Sequence, residues 1–148
     1  MSSIRGFESL MRRVKQLEKN VRDTERPLKA AGVYMLGSIE RNFQAQGRPD
    51  KWTDLSDETL ASRRKGRGKG KAQILIDTAR LKNSMSTRLT GEGVEIGTNV
   101  IYAPRQHFGY EGGDGRGQAE TPARPFLMFQ DEDIDAIGQI FRRHIERG

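Results

Sequence analysis

The chain has no cysteine, only two histidines and one tryptophan in 148 residues. Without cysteine there is no disulfide framework and no thiolate chemistry. His107 and His144 are then the only imidazole bases. Long apolar runs are missing too. The greasiest stretch, Ala30 to Leu36, already contains Gly32 and Tyr34, far short of the roughly 20 residues a membrane span needs. Near the N-terminus Arg5, Glu8, Arg12 and Arg13 leave no room for an apolar signal core, so no secretion is expected and a bacterial or host cytoplasm is the default compartment. The length suits a single domain over 1–148. Hydrophobic residues make up 34% against 31% charged, a lean supply for a monomer. Such a chain is expected to finish burying its apolar surface against neighbouring subunits.

The net charge is +6, and its location decides its meaning. Arg63, Arg64, Lys65, Arg67, Lys69 and Lys71 lie together with no acid among them. Removing those six leaves the rest of the chain neutral. The basicity is therefore one local feature and not a basic fold surface. Gly66, Gly68 and Gly70 alternate with the cations, so a mobile basic loop is expected over 63–72. These six side chains are the candidate contacts for phosphate or for an acidic partner. Any DNA contact they make should be weak and blind to sequence, because no aromatic interleaves them for base stacking.

Along the chain, the spacing of Leu10, Val14, Leu17 and Val21 predicts an amphipathic helix over Ile4 to Thr24. Pro27 should stop or kink it. A second helix follows to Gln44, with Leu28, Ala31, Met35, Ile39 and Phe43 on its buried face, which closes an N-terminal helical segment over 4–44. Gly32 and Gly37 weaken that helix, so packing must hold it. Ser56 is the expected N-cap of a short helix with Asp57 and Glu58 in its first turn. Thr78 is expected to cap another through Leu81 and Lys82. Met85, Thr87 and Leu89, a Gly91–Glu92–Gly93 turn, then Val94 and Ile96 read as a β-hairpin. A compact helical element is expected from Tyr102 to Gly109, and a glycine-rich loop from Tyr110 to Gln118. The last helix begins with Asp131, Glu132, Asp133 and Asp135 and ends with Arg142, Arg143 and Arg147, matching the macrodipole at both poles. Ile134, Ile137, Phe141 and Ile145 form its apolar stripe. The order predicts an α+β fold in which the N-terminal and C-terminal helices pack on a small antiparallel sheet, with long polar loops.

Chemistry is poorly supported. No serine sits in a strained G-x-S-x-G elbow, and no nucleophile, base and orienting group stand together. His107 has no second His or Cys at ligand spacing. His144 sits in the last turn of a helix, where a cation suits the dipole, and packing at a surface or interface accounts for it. The acids from Asp131 to Asp135 are explained by a helix start. Gly66–Lys71 lacks the Ser or Thr of a phosphate loop, and Gly112–Gly117 lacks the lysine. An enzyme, a cofactor and a resident metal are therefore not expected.

From Phe43 onward the landmarks resemble the phage virion morphogenesis, or tail-completion, family. They are Trp52, Leu55 and Thr59, then Ile74-Leu75-Ile76-Asp77-Thr78-Ala79-Arg80-Leu81. Ile96-Gly97-Thr98-Asn99, Tyr102-Ala103 and Phe108-Gly109 come next, and Pro122-Ala123-Arg124-Pro125-Phe126-Leu127 closes the set. The resemblance covers about two-thirds of the chain. It departs from the pattern at two places. Ala79 stands where the family usually has glycine, and Arg105-Gln106-His107 replaces Ile-His-Gln. The resemblance implies a small non-enzymatic subunit that assembles as a ring, a hexamer above all, at the tail end or the head–tail junction. Its partners would be copies of itself and other tail or connector proteins, and it would pass from the host cytoplasm into the virion. Trp52, Asp77, Thr78, Arg80, Leu81, Tyr102, Gly109, Pro122, Arg124 and Phe126 would be fold determinants. Among them, Asp77 and Thr78 would cap a turn, Arg124 would bond to backbone or carboxylate, and Phe126 would fill the core. The competing reading is a small nucleic-acid-binding protein acting through residues 63–71.

Overall fold

A computed structural model describes residues 5–65, 73–76, 79–113, 115, 117 and 119–147. The elements run α1 (Arg5–Arg22), α2 (Glu25–Ala45), α3 (Asp57–Lys65), α4 (Arg80–Asn83), β1 (Ser86–Leu89), β2 (Val94–Gly97), α5 (Ala103–Phe108) and α6 (Asp131–Arg147). Helices plus one two-stranded antiparallel sheet make the fold α+β. Among the described residues no helix is long and apolar enough to cross a membrane.

The chain leaves α1 at Arg22 and restarts at Glu25, so Pro27 falls in the first turn of α2, where its missing N–H has no helical partner to lose. α2 is the central element. Ala31, Met35, Ile39 and Phe43 are buried along one face. Gly32 lies where the hairpin crosses: a Cβ there would come within 3.1 Å of Val94 and 3.2 Å of Thr87. The helix-weakening glycine thus stands at a point of close approach between helix and sheet. In the hairpin Thr87 pairs with Ile96 and Leu89 with Val94. Its turn is closed by Thr90, whose Oγ1 accepts from the Gly93 N–H at 3.0 Å.

The layering is narrower than the sequence suggested. α2 alone among the helices packs extensively on both strands; α6 packs on α2, and α1 on α6. The α2–α6 contact is also more polar than an apolar stripe implies. Its most buried α6 side chain is Asp133, whereas Ile134 is 61% exposed. Asp133 Oδ2 accepts from Ser38 Oγ at 2.7 Å and from the Gln130 N–H at 2.8 Å, the second bond being one half of a capping box at the start of α6. Arg48 completes this seam. It donates to Asn42 Oδ1, to Ser38 Oγ and to Glu132 Oε1, while Asn42 donates to the Phe126 carbonyl at 2.9 Å. Arg41, over the Tyr34 ring, sits 3.9 Å from Asp133 Oδ1. A buried carboxylate is tolerable only with such partners.

α1 is attached by hydrogen bonds at its C-terminal half. Asn20 donates to the Ile145 carbonyl, Arg13 to that of Glu146, and His144 Nε2 meets the carbonyls of Asn20 and Asp23. With Nε2 protonated, His144 satisfies carbonyls that a helix end leaves without partners.

Candidate functional site

The core is aromatic where the motif residues meet. Phe43, on α2, packs against Trp52 with ring centroids 5.7 Å apart and against Phe126 at 5.5 Å. Trp52 reaches this place because α2 ends in a tight reversal. Gln46 is left-handed, and Gly47 follows at φ +118, where a Cβ would lie 2.4 Å from the Asp50 carbonyl oxygen and 2.6 Å from Trp52 N. Trp52 Nε1 then donates to the Pro125 carbonyl at 3.1 Å. Its buried N–H is satisfied by the segment that carries Phe126.

Arg124 is buried and ties the same segment to the loop before α3. Its Nε donates to the Thr53 carbonyl at 2.9 Å and its terminal nitrogen to that of Asp54 at 3.0 Å. The Arg124 N–H donates to the Gln106 carbonyl of α5. These bonds go to backbone, one of the two kinds of partner expected for this arginine. Gly109, at φ +81, allows the chain leaving α5 to pass the returning segment, since a Cβ would be 2.8 Å from Ala123 N. Tyr110 and Thr121 then pair as an antiparallel bridge, which closes the loop between them.

The most instructive departure from expectation is Arg105. Replacing an apolar residue of the family pattern, it looks like a flaw in the packing of α5. Instead its guanidinium lies over the Tyr110 ring, 4.5 Å from the centroid, and donates to Thr121 Oγ1 at 2.9 Å and to the Ala119 carbonyl. It staples both ends of the 110–121 loop to the helix. His107, beside it, is half-buried, with its ring 5.1 Å from that of Phe126. Its Nδ1 accepts a long bond from the Leu127 N–H at 3.4 Å, and burial pushes its pKa down.

Arg80, Leu81, Tyr102, Pro122 and Arg124 share the lining of one surface cleft of about 580 Å³. Leu81 is buried in the core, whereas Tyr102 is 41% exposed and Arg80 lies on the surface. Motif positions separated by more than forty residues therefore converge on one patch, partly as packing and partly as surface. Asp54, Glu58 and Glu120 give the cleft an acidic side.

Three expectations change. Thr78 and Asp77 lie outside the described residues, but the N-cap of α4 is Ala79, with φ +61, ψ 12 and no side-chain capping bond. Ala79 is thus left-handed, not helical, which explains why glycine is at home there. The basic run does not begin as a loop either: the backbone of Arg63, Arg64 and Lys65 belongs to the C-terminal turn of α3. Arg67, Lys69 and Lys71 lie outside the described residues, and with them the loop expected over 63–72. Finally, the apolar stripes of α1 and α6 are not closed by the fold. Leu10, Val14 and Val21 remain exposed, as does Ile134.

The described residues present packing determinants, a shallow polar cleft and open apolar faces, and gather no cluster of three or more His, Asp or Glu that could hold a metal. The chain belongs to the phage virion morphogenesis family, whose profile it matches over residues 6–146. It accordingly serves in the structural assembly of a bacteriophage virion. No curated protein and no solved structure matches it significantly.

Proposed function

We propose that the chain is a ring-forming tail-completion subunit, acting at the tail end or the head–tail junction and joining copies of itself, six above all, to neighbouring tail or connector proteins. The observation that carries this reading is the exposed apolar stripe of α1, in a member of a virion-assembly family. Phe7 is 60% and Leu10 58% exposed on a helix whose other side already holds α6. Contiguous apolar surface of this kind marks association sites. One patch of a subunit meeting a different patch of the next makes a head-to-tail contact, which closes into a ring when its rotation returns to the first subunit. Size-exclusion chromatography with light scattering, over a concentration series, should show a closed oligomer of fixed mass. A strictly monomeric protein at tens of micromolar, where contacts of about micromolar affinity are occupied, would overturn an intrinsic ring.

A further inference from the structure

α1 carries more apolar surface than its place in the fold uses. Phe7, Leu10, Val14, Leu17 and Val21 follow one another at steps of three, four, three and four, the spacing of a helix–helix seam. Its contact with α6 uses a different side. Arg13 and Asn20 make the bonds to α6, and Gln16 supports Asn20. Leu17, at the border of the two sides, is half-buried, while Phe7, Leu10, Met11 and Val14 are exposed. These last four lie N-terminal to all the α6-bonded residues save Arg13.

A second open face lies on α6. Ile134 is 61% exposed. Phe141 and Ile145, on the same side two and three turns on, are only half-buried. Phe7 and Val14, and likewise Ile134 and Phe141, are seven residues apart, about 10 Å of helix. Their charges are opposed. α1 holds six cations and two acids, whereas α6 has four acids and no cation before Arg142. Of those acids, Asp133 is buried and Glu132 pairs with Arg48. Asp131 and Asp135 are exposed, make no ion pair among the described residues and border the Ile134 stripe. Two copies of α1 would instead oppose like charge, which disfavours their pairing.

Resting on the reading of the chain as an assembling subunit, we infer that the exposed stripe of α1 docks on the Ile134–Phe141 face of α6 of a second copy of this chain. Lys15 flanks the α1 stripe beyond Met11, on the same rotational side as Asp131 and Asp135 flank the α6 stripe, while Glu18, nearer the α1 stripe on that side, is already paired with Arg22. These charges meet when the two helices run antiparallel. The contact joins unlike patches, so each subunit offers one arm and one seat, and repetition propagates around a ring.

Complementation tests this. One variant carries Leu10→Asp and Val14→Asp, the other Ile134→Asp; all three positions are exposed, and circular dichroism with thermal melting checks each fold. Each variant alone should need at least tenfold more protein than the native chain to associate. Mixed one to one, they should form a pair that grows no further, since one intact arm and one intact seat remain. A second set avoids apolar changes: Lys15→Glu should weaken assembly, and adding Asp131→Lys and Asp135→Lys should restore it. Native-like assembly of either apolar variant, or no pairing on mixing and no charge rescue, overturns the docking while a native oligomer in the same runs upholds the ring reading. A monomeric native chain overturns both.

Discussion

Ala79 shows how much one backbone angle can settle. An L-residue in the left-handed region costs on the order of 1 kcal/mol, and at Ala79 no capping bond offsets it. Ala79→Gly should raise stability, by about 0.5 kcal/mol once the extra freedom of glycine in the unfolded chain is counted. A shift of the urea midpoint to lower concentration would contradict this. His107 gives a prediction in pH. Burial lowers its pKa from the ordinary 6.5, so the unfolded chain binds the proton more readily than the folded one. Stability is full above 6.5 and falls as pH drops below it toward the lowered value. Urea titrations of the native chain and of His107→Gln, which keeps an acceptor for the Leu127 N–H without titrating, should diverge over that window. An equal decline in both would place the sensitivity elsewhere.

Between elements, α2 and α6 are held by a polar seam more than by an apolar interface. Asp133 accepts two bonds, and Arg48 spans Ser38, Asn42 and Glu132. Asp133→Ala would strand the Ser38 hydroxyl and the Gln130 N–H and leave Arg48 and Arg41 less balanced. It should destabilise by about 3 kcal/mol, read as a lower thermal midpoint. A loss near zero would show that the seam fixes only the direction of α6. Such a seam was only partly legible beforehand. The acids at the head of α6 were readable as dipole complements, but nothing in a local pattern distinguishes Asp133, inward and fully buried, from Asp131 and Asp135, outward and exposed. Arg105 was likewise misleading as a local symbol, because its partners lie 14 and 16 residues on.

For the whole molecule, the cations from Arg63 to Lys71 bear on function separately from the fold. Half of them extend α3 and half follow it, without aromatics between them. In a tail subunit, neutralising all six should leave oligomer size and thermal midpoint unchanged. Binding to duplex DNA should be weak and should vanish by physiological ionic strength, with a log–log salt slope of about −0.9 per phosphate contact. Nanomolar binding at that salt, lost with the six cations, would favour the nucleic-acid reading instead.

The periodicities of α2 and the hairpin, the Ser56 cap and the punctuation by proline and glycine were all decided locally, because burial on one face and φ/ψ limits act over a few residues. Ser56 Oγ does accept from the Thr59 N–H, and the hairpin register follows the alternation read from Thr87 to Ile96. The motif residues were named through their likeness to a family; Trp52, Leu81, Arg124 and Phe126 lie in the interior, whereas Arg80 and Tyr102 lie at the surface. What only the tertiary structure decided was which apolar faces stay open. A stripe such as Leu10, Val14 and Val21 states that a helix has a face to bury, but not whether its own chain covers it. Here α1 meets α6 through Arg13 and Asn20, and its apolar side is left outward, because contact between helices depends on the path of the chain through space and not on the periodicity of either helix.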